Sequence, residues 1–78
     1  MSLYLSFSLE VKTMKVLFWV WDMENGEVIE RWYDEVEDED EAYENLLAYA
    51  SDYGEILYEK ENSVVTEGNY QIGFDILS

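Results

Sequence analysis

The sequence predicts an α+β domain, a single antiparallel β-sheet of about five strands with one amphipathic helix packed across one face. Three observations carry that expectation. Asp34 to Gly54 holds the one clear helical stripe in the chain, with Tyr43, Leu46, Leu47, Ala50 and Tyr53 recurring at spacings of three and four. Residues 3–11 and 70–77 alternate with period two instead, the signature of half-buried strands. Clusters of turn residues, Glu24-Asn25-Gly26, Glu61-Asn62-Ser63 and Glu67-Gly68-Asn69, punctuate the remaining apolar runs. The expected order is β-β-β-α-β-(β)-β, in one domain spanning residues 1–78.

In residues 3–11, Leu3, Leu5, Phe7, Leu9 and Val11 face one way and Tyr4, Ser6, Ser8 and Glu10 the other. Met14-Lys15 ahead of an apolar run reads as an ordinary translation start, which would make the preceding residues an upstream extension. Their clean alternation argues that they belong to the fold. Residues 15–22 are apolar on both faces, with Leu17, Trp19 and Trp21 on one side and Val16, Phe18 and Val20 on the other. Such a strand lies centrally, or it shows an aromatic face to a partner.

Asn25 and Gly26 tolerate the positive φ of a hairpin, and residues 27–33 return as the next strand. Two registers are available. A two-residue Asn25-Gly26 loop pairs Trp19 with Trp32 and sets Glu24 opposite Glu27, which is repulsive. A three-residue loop with a bulge at Gly26 pairs Trp19 with Arg31 and Phe18 with Trp32. The second is preferred, because it avoids the Glu–Glu pair and lets Arg31 lie over an indole.

In the stretch from Asp34, Asp38 or Asp40 can cap the helix, and Asp38 with Glu41 resembles a capping box. Gly54 stands where helices commonly end. Leu46, Leu47 and Ala50 are expected to pack on the sheet face that carries Phe7 and Leu9 or their opposite numbers in the first strand. Residues 55–60 and 64–66 form short strands, and residues 70–77 a last one in which Gly73 thins the outer face for a bulge or a close neighbour.

Composition narrows function more than any motif does. The chain has 19 acids against Lys12, Lys15, Arg31 and Lys60, a formal net charge of -15. A direct nucleic-acid binder should be basic, and an anionic membrane would be repelled. With no Cys and no His, disulfides, thiolate metal sites and the commonest general base are all missing. Ser51, Ser63 and Thr66 then have no imidazole to activate them, so no enzyme is expected and no cofactor is implied. No apolar run is long enough to span a bilayer, and no basic segment leads the N-terminus, so the expected compartment is the cytoplasm, of a cell or of an infected host.

Eight of the eleven residues from Asp34 to Glu44 are carboxylates: Asp34, Glu35, Glu37, Asp38, Glu39, Asp40, Glu41 and Glu44. Helix capping and the helix dipole account for two or three of them. The run is the expected contact for a basic protein surface, one that normally holds nucleic acid, because its charge density approaches that of a phosphate backbone. In size and charge the chain resembles, as a class, the small viral inhibitors of restriction and CRISPR systems. Trp19, Trp21 and Trp32 form the alternative site, an aromatic sheet face through which the chain would homodimerise. A divalent-cation site is a third option, but the run lacks the glycine and the spacing of an EF-hand loop, and no metal ligands are assigned.

Overall fold

The computed structural model describes residues 13–77. The strand expected over residues 3–11, with Phe7 and Leu9, lies outside the described residues. The rest of the expected order is present: β1 (Met14–Asp22), β2 (Glu27–Val36), α1 (Glu39–Ala50), β3 (Ile56–Glu59), β4 (Ser63–Thr66) and β5 (Tyr70–Ile76). The strands form one five-stranded sheet in the order β2-β1-β5-β4-β3, every neighbouring pair antiparallel. The fold is α+β.

The topology follows from one long connection. The β1–β2 hairpin and the β3–β4–β5 meander close locally, and α1 carries the chain from the β2 edge to the β3 edge. The helix lies over the sheet between those edges: Tyr43 in its first half reaches Glu59 of β3, and Tyr49 in its second half reaches Asp34 of β2. It packs on β2, β4 and β5 from one side.

That side holds the core. Val16, Phe18 and Val20 of β1, Ile72 and Phe74 of β5, Val64 and Val36 meet Ala42, Leu46 and Ala50 of the helix. The two alanines let the helix lie close while Leu46 fills the space between them. Phe18 is the centre of a ring cluster, stacked on Trp32 at 5.7 Å and meeting the edge of Tyr49 at 5.0 Å. The helical stripe read from the sequence is displaced by a few tens of degrees. Ala42 is fully buried, whereas Tyr43, Leu47, Tyr49 and Tyr53 are only partly buried and pack against the core from its margin.

Asp38 is the N-cap and accepts the Glu41 amide at 2.8 Å. Glu41 reaches back to the amide of Glu37 at 2.6 Å, one residue before the position a capping box would use. The helix ends at Ala50, earlier than Gly54 suggested. The chain then tightens through two turns in which Asp52 and Tyr53 donate to Tyr49 and Ala50. Gly54, at φ 133°, only redirects it towards β3.

The preferred hairpin register is the one found, with Phe18 opposite Trp32 and Trp19 opposite Arg31. The bulge is not at Gly26. Asp22 accepts the amides of Glu24 and Asn25 on its carboxylate and the amide of Gly26 on its carbonyl, which makes the loop four residues long. The register slip is taken up inside β2, where Ile29 is the extra residue between the Val20–Glu30 and Trp21–Val28 pairs. Without it Val28 would face the helix; with it Val28 stands beside Trp21 on the opposite face. Leu57 marks a similar irregularity in β3, so both edge strands are interrupted.

Candidate functional site

The two faces of the sheet differ in chemistry, and strand parity decides which residue goes where. On the helix side, β2 presents Glu30, Trp32, Asp34 and Val36. On the open side, four cross-strand rows can be followed: Glu35 with Lys15; Tyr33, Leu17 and Asp75; Arg31, Trp19, Gly73 and Ser63; and Val28, Trp21, Gln71, Val65 and Tyr58.

This placement splits the acidic run. β2 extends to Val36, three residues past the expected end, so Asp34 and Glu35 are strand residues rather than part of a loop leading into the helix. Asp34 points to the helix side and Glu35 to the open side, where it accepts from Thr13 at 3.0 Å. Glu37, Asp38, Glu39, Asp40 and Glu44 stay together, exposed, at the start of the helix, with Glu41 half-buried among them.

Three further carboxylates join them on the helix side. Tyr53 donates to Glu30 at 2.7 Å, Tyr49 donates to Asp34 at 3.2 Å, and Tyr43 donates to Glu59 on the far edge. Tyr43 and Tyr49 lie on the margin of the helix and Tyr53 in the turn after it, each with its acid on a strand beneath, so the hydroxyls pin the acids in place along both flanks of α1. Glu30 and Glu59 fall outside the acidic run, and no sequence spacing singles them out. The only signal was the richness in tyrosine, seven in the chain. Arg31 and Lys15 stand on the open side and Lys60 follows β3, so no Lys or Arg of the described residues lies under the helix.

The phenols register this environment. The bond to Glu59, with burial and the charge of the same carboxylate behind it, pushes Tyr43 from 10.0 up to about 12. Burial first, and then the bond to Glu30, pushes Tyr53 up to about 12 as well. Burial also raises Tyr49, against a lowering from Trp32 and with Asp34 adding to the rise. The folded state thus holds these protons more tightly than the unfolded chain. Their contribution to stability is complete below pH 10, the ordinary value, and is lost as the pH climbs through about 12. In an alkaline titration followed by phenolate absorbance, Tyr43 and Tyr53 are expected to titrate well above the ordinary value. The stability margin of the protein over its Tyr43→Phe variant should close across the same interval. Phenols that all ionise together at the ordinary value would show that the hydroxyl–carboxylate bonds do not form in solution.

Trp19 and Trp21 sit together on the open side, half-buried, in a shallow groove with Val28, Arg31 and Asp75. Trp32 does not belong with them. It faces the helix, and its ring meets Tyr49 edge-on at 5.0 Å. Two residues of spacing separate Trp19 from Trp21, whereas Trp32 pairs with Phe18, and the hairpin register alone assigns it to the other face. Gly73 is the close neighbour its composition suggested: Trp19 lies across it, and a Cβ there would stand 2.7 Å from Cη2 of the indole.

The hydroxyls considered as nucleophiles are structural. Ser51 donates to the carbonyl of Ala48, Ser63 is buried and accepts from Gln71, and Thr66 is buried. Among the described residues no three acids converge as metal ligands would, and no helix is long and apolar enough to cross a membrane. No protein-family model, no curated protein and no solved structure matches the chain, so the site is read from its own residues.

Proposed function

We propose that this is a non-catalytic binding protein whose helix side engages the basic surface of another protein, one that normally holds nucleic acid. The observation that carries the reading is the set of tyrosine-pinned carboxylates on the helix side, Glu30, Asp34 and Glu59, which adds to the exposed carboxylates of Glu37 to Glu44 with no Lys or Arg of the described residues among them. Glu39, Asp40, Glu41 and Glu44 set four charges along about 7.5 Å of helix axis. That is roughly one per 2 Å, against one per about 1.7 Å of duplex DNA. Because hydroxyls hold the flanking acids, less ordering entropy is lost when a partner docks. A small viral inhibitor that occupies a nucleic-acid groove would have this form. Glu35, on the opposite face, is not part of the contact.

The test is capture from cell lysate followed by competition. Nucleic-acid-binding proteins are expected among the captured ones, displaced by duplex DNA or RNA. Their binding should weaken between about 0.1 M and about 1 M salt, as the Debye length falls from ~10 Å to ~3 Å. Neutralising Glu37, Glu39, Asp40 and Glu41 to Gln or Asn, with Asp38→Asn to keep the cap, should abolish binding while the fold survives. Binding that persists in the neutralised protein at high salt would remove the helix side as the site.

A further inference from the structure

The open face of the sheet plays no part in helix-side binding, and it carries exposed apolar and aromatic side chains. Tyr33 is 66% exposed, Tyr58 51% and Val28 47%, around the half-buried indoles of Trp19 and Trp21. We propose that a second copy of the chain docks here, making a two-fold dimer that leaves both carboxylate arrays outward.

Charge selects the occupant. In a chain of net charge -15 almost every surface repels its own copy. Among the described residues the open face is the exception, because Lys15 and Arg31 stand among Glu35 and Asp75, two charges of each sign. An isologous interface presents the same patch twice, so the exposed Arg31 of one copy is set to meet the exposed Asp75 of the other. A basic partner would find no net attraction there, and an acidic one would be repelled by the rest of the molecule. Pairing through the sheet edges is disfavoured by the irregularities at Ile29 and Leu57.

Size sets the strength. Five strands ~4.8 Å apart, about seven residues long at ~3.3 Å each, span a face of roughly 550 Å², of which the part at Ser63, Val65 and Gly73 is already buried. Two such faces therefore bury less than about 1,100 Å², at or below the low end for a specific interface. The dimer is therefore weak and concentration-dependent.

Sedimentation equilibrium of the full chain, from about 1 µM to about 1 mM, reads it directly. A monomer–dimer equilibrium is expected that tightens as salt rises, because the long-range term between the two copies is repulsion. Binding on the helix side weakens with salt, so the two proposals fail separately. Tyr33→Glu and Arg31→Glu alter exposed residues and leave the core untouched. Each is expected to raise the dissociation constant about tenfold or more while the circular dichroism is unchanged. A strict monomer at the highest concentration in high salt overturns the proposal. So does a dimer indifferent to both substitutions. A monomer whose indoles resist acrylamide quenching would also overturn it, by showing that the chain covers the face itself.

Discussion

Leu46→Ala is expected to destabilise the protein by about 2–5 kcal/mol in denaturant unfolding. Leu46 has no exposed surface, and it stands between two alanines over the phenylalanine-centred core of the sheet. Neither alanine can extend to refill the space, so the cavity persists and its cost adds to the lost transfer energy. A chain of this length has a total stability of about 4–12 kcal/mol, and the repulsion among its acids lowers it further. The substitution can therefore leave the chain half unfolded at low salt and recover it at high salt. The same change at Leu47 is expected to cost about 1 kcal/mol, because that side chain is only partly buried at the margin of the core. Equal losses at the two positions would mean that the helix is rotated from the orientation described.

The contrast between these leucines shows how far the sequence could be read. Periodicity named the helix and its apolar side, but spacings of three and four leave a wide arc, and Leu46 and Leu47 satisfy it equally. The deciding residue is Ala42, whose short side chain carries little hydrophobic signal and yet is fully buried. The hairpin register was legible because a Glu–Glu clash argued against its competitor. The place of the bulge was not, because it depends on the carboxylate of Asp22 closing a longer turn. That detail also decides which face Val28 joins.

The candidate sites were legible to different degrees for the same reason. Composition alone pointed to an anionic surface and to aromatic rings in excess of what one helix can cover. Both surfaces exist, on opposite sides of the sheet. What composition lacks is parity. A run of eight acids looks continuous in one dimension, but the strand reaching to Val36 turns Asp34 and Glu35 to opposite faces. Trp32 moves into the core by the same alternation, and Glu30 and Glu59 enter the anionic side through tyrosines distant in the chain. Two of the three described cations then fall on the open side, which no count of charges could have placed there.

Gly73→Ala tests the open face from inside. Its Cβ would lie 2.7 Å from Cη2 of Trp19, nearer still to Cζ2, and 2.8 Å from Cβ of Ser63. The indole can swing outward about its two side-chain torsions, but Ser63 is buried on β4 and its Cβ moves only with the backbone. The expected cost is about 1–3 kcal/mol, with Trp19 displaced and the near-ultraviolet circular dichroism of the indoles altered. In the background of Trp19→Ala the same substitution should cost less, since only the contact with Ser63 remains. A double-mutant cycle measures the difference as a coupling of roughly 0.5–3 kcal/mol. Displacing the indole also roughens the face a second copy would meet, so dimerisation should fall with the tryptophan signal. A Gly73→Ala protein of unchanged stability and unchanged indole spectrum would show that Trp19 does not lie across this glycine, and the flat aromatic face would lose its physical basis.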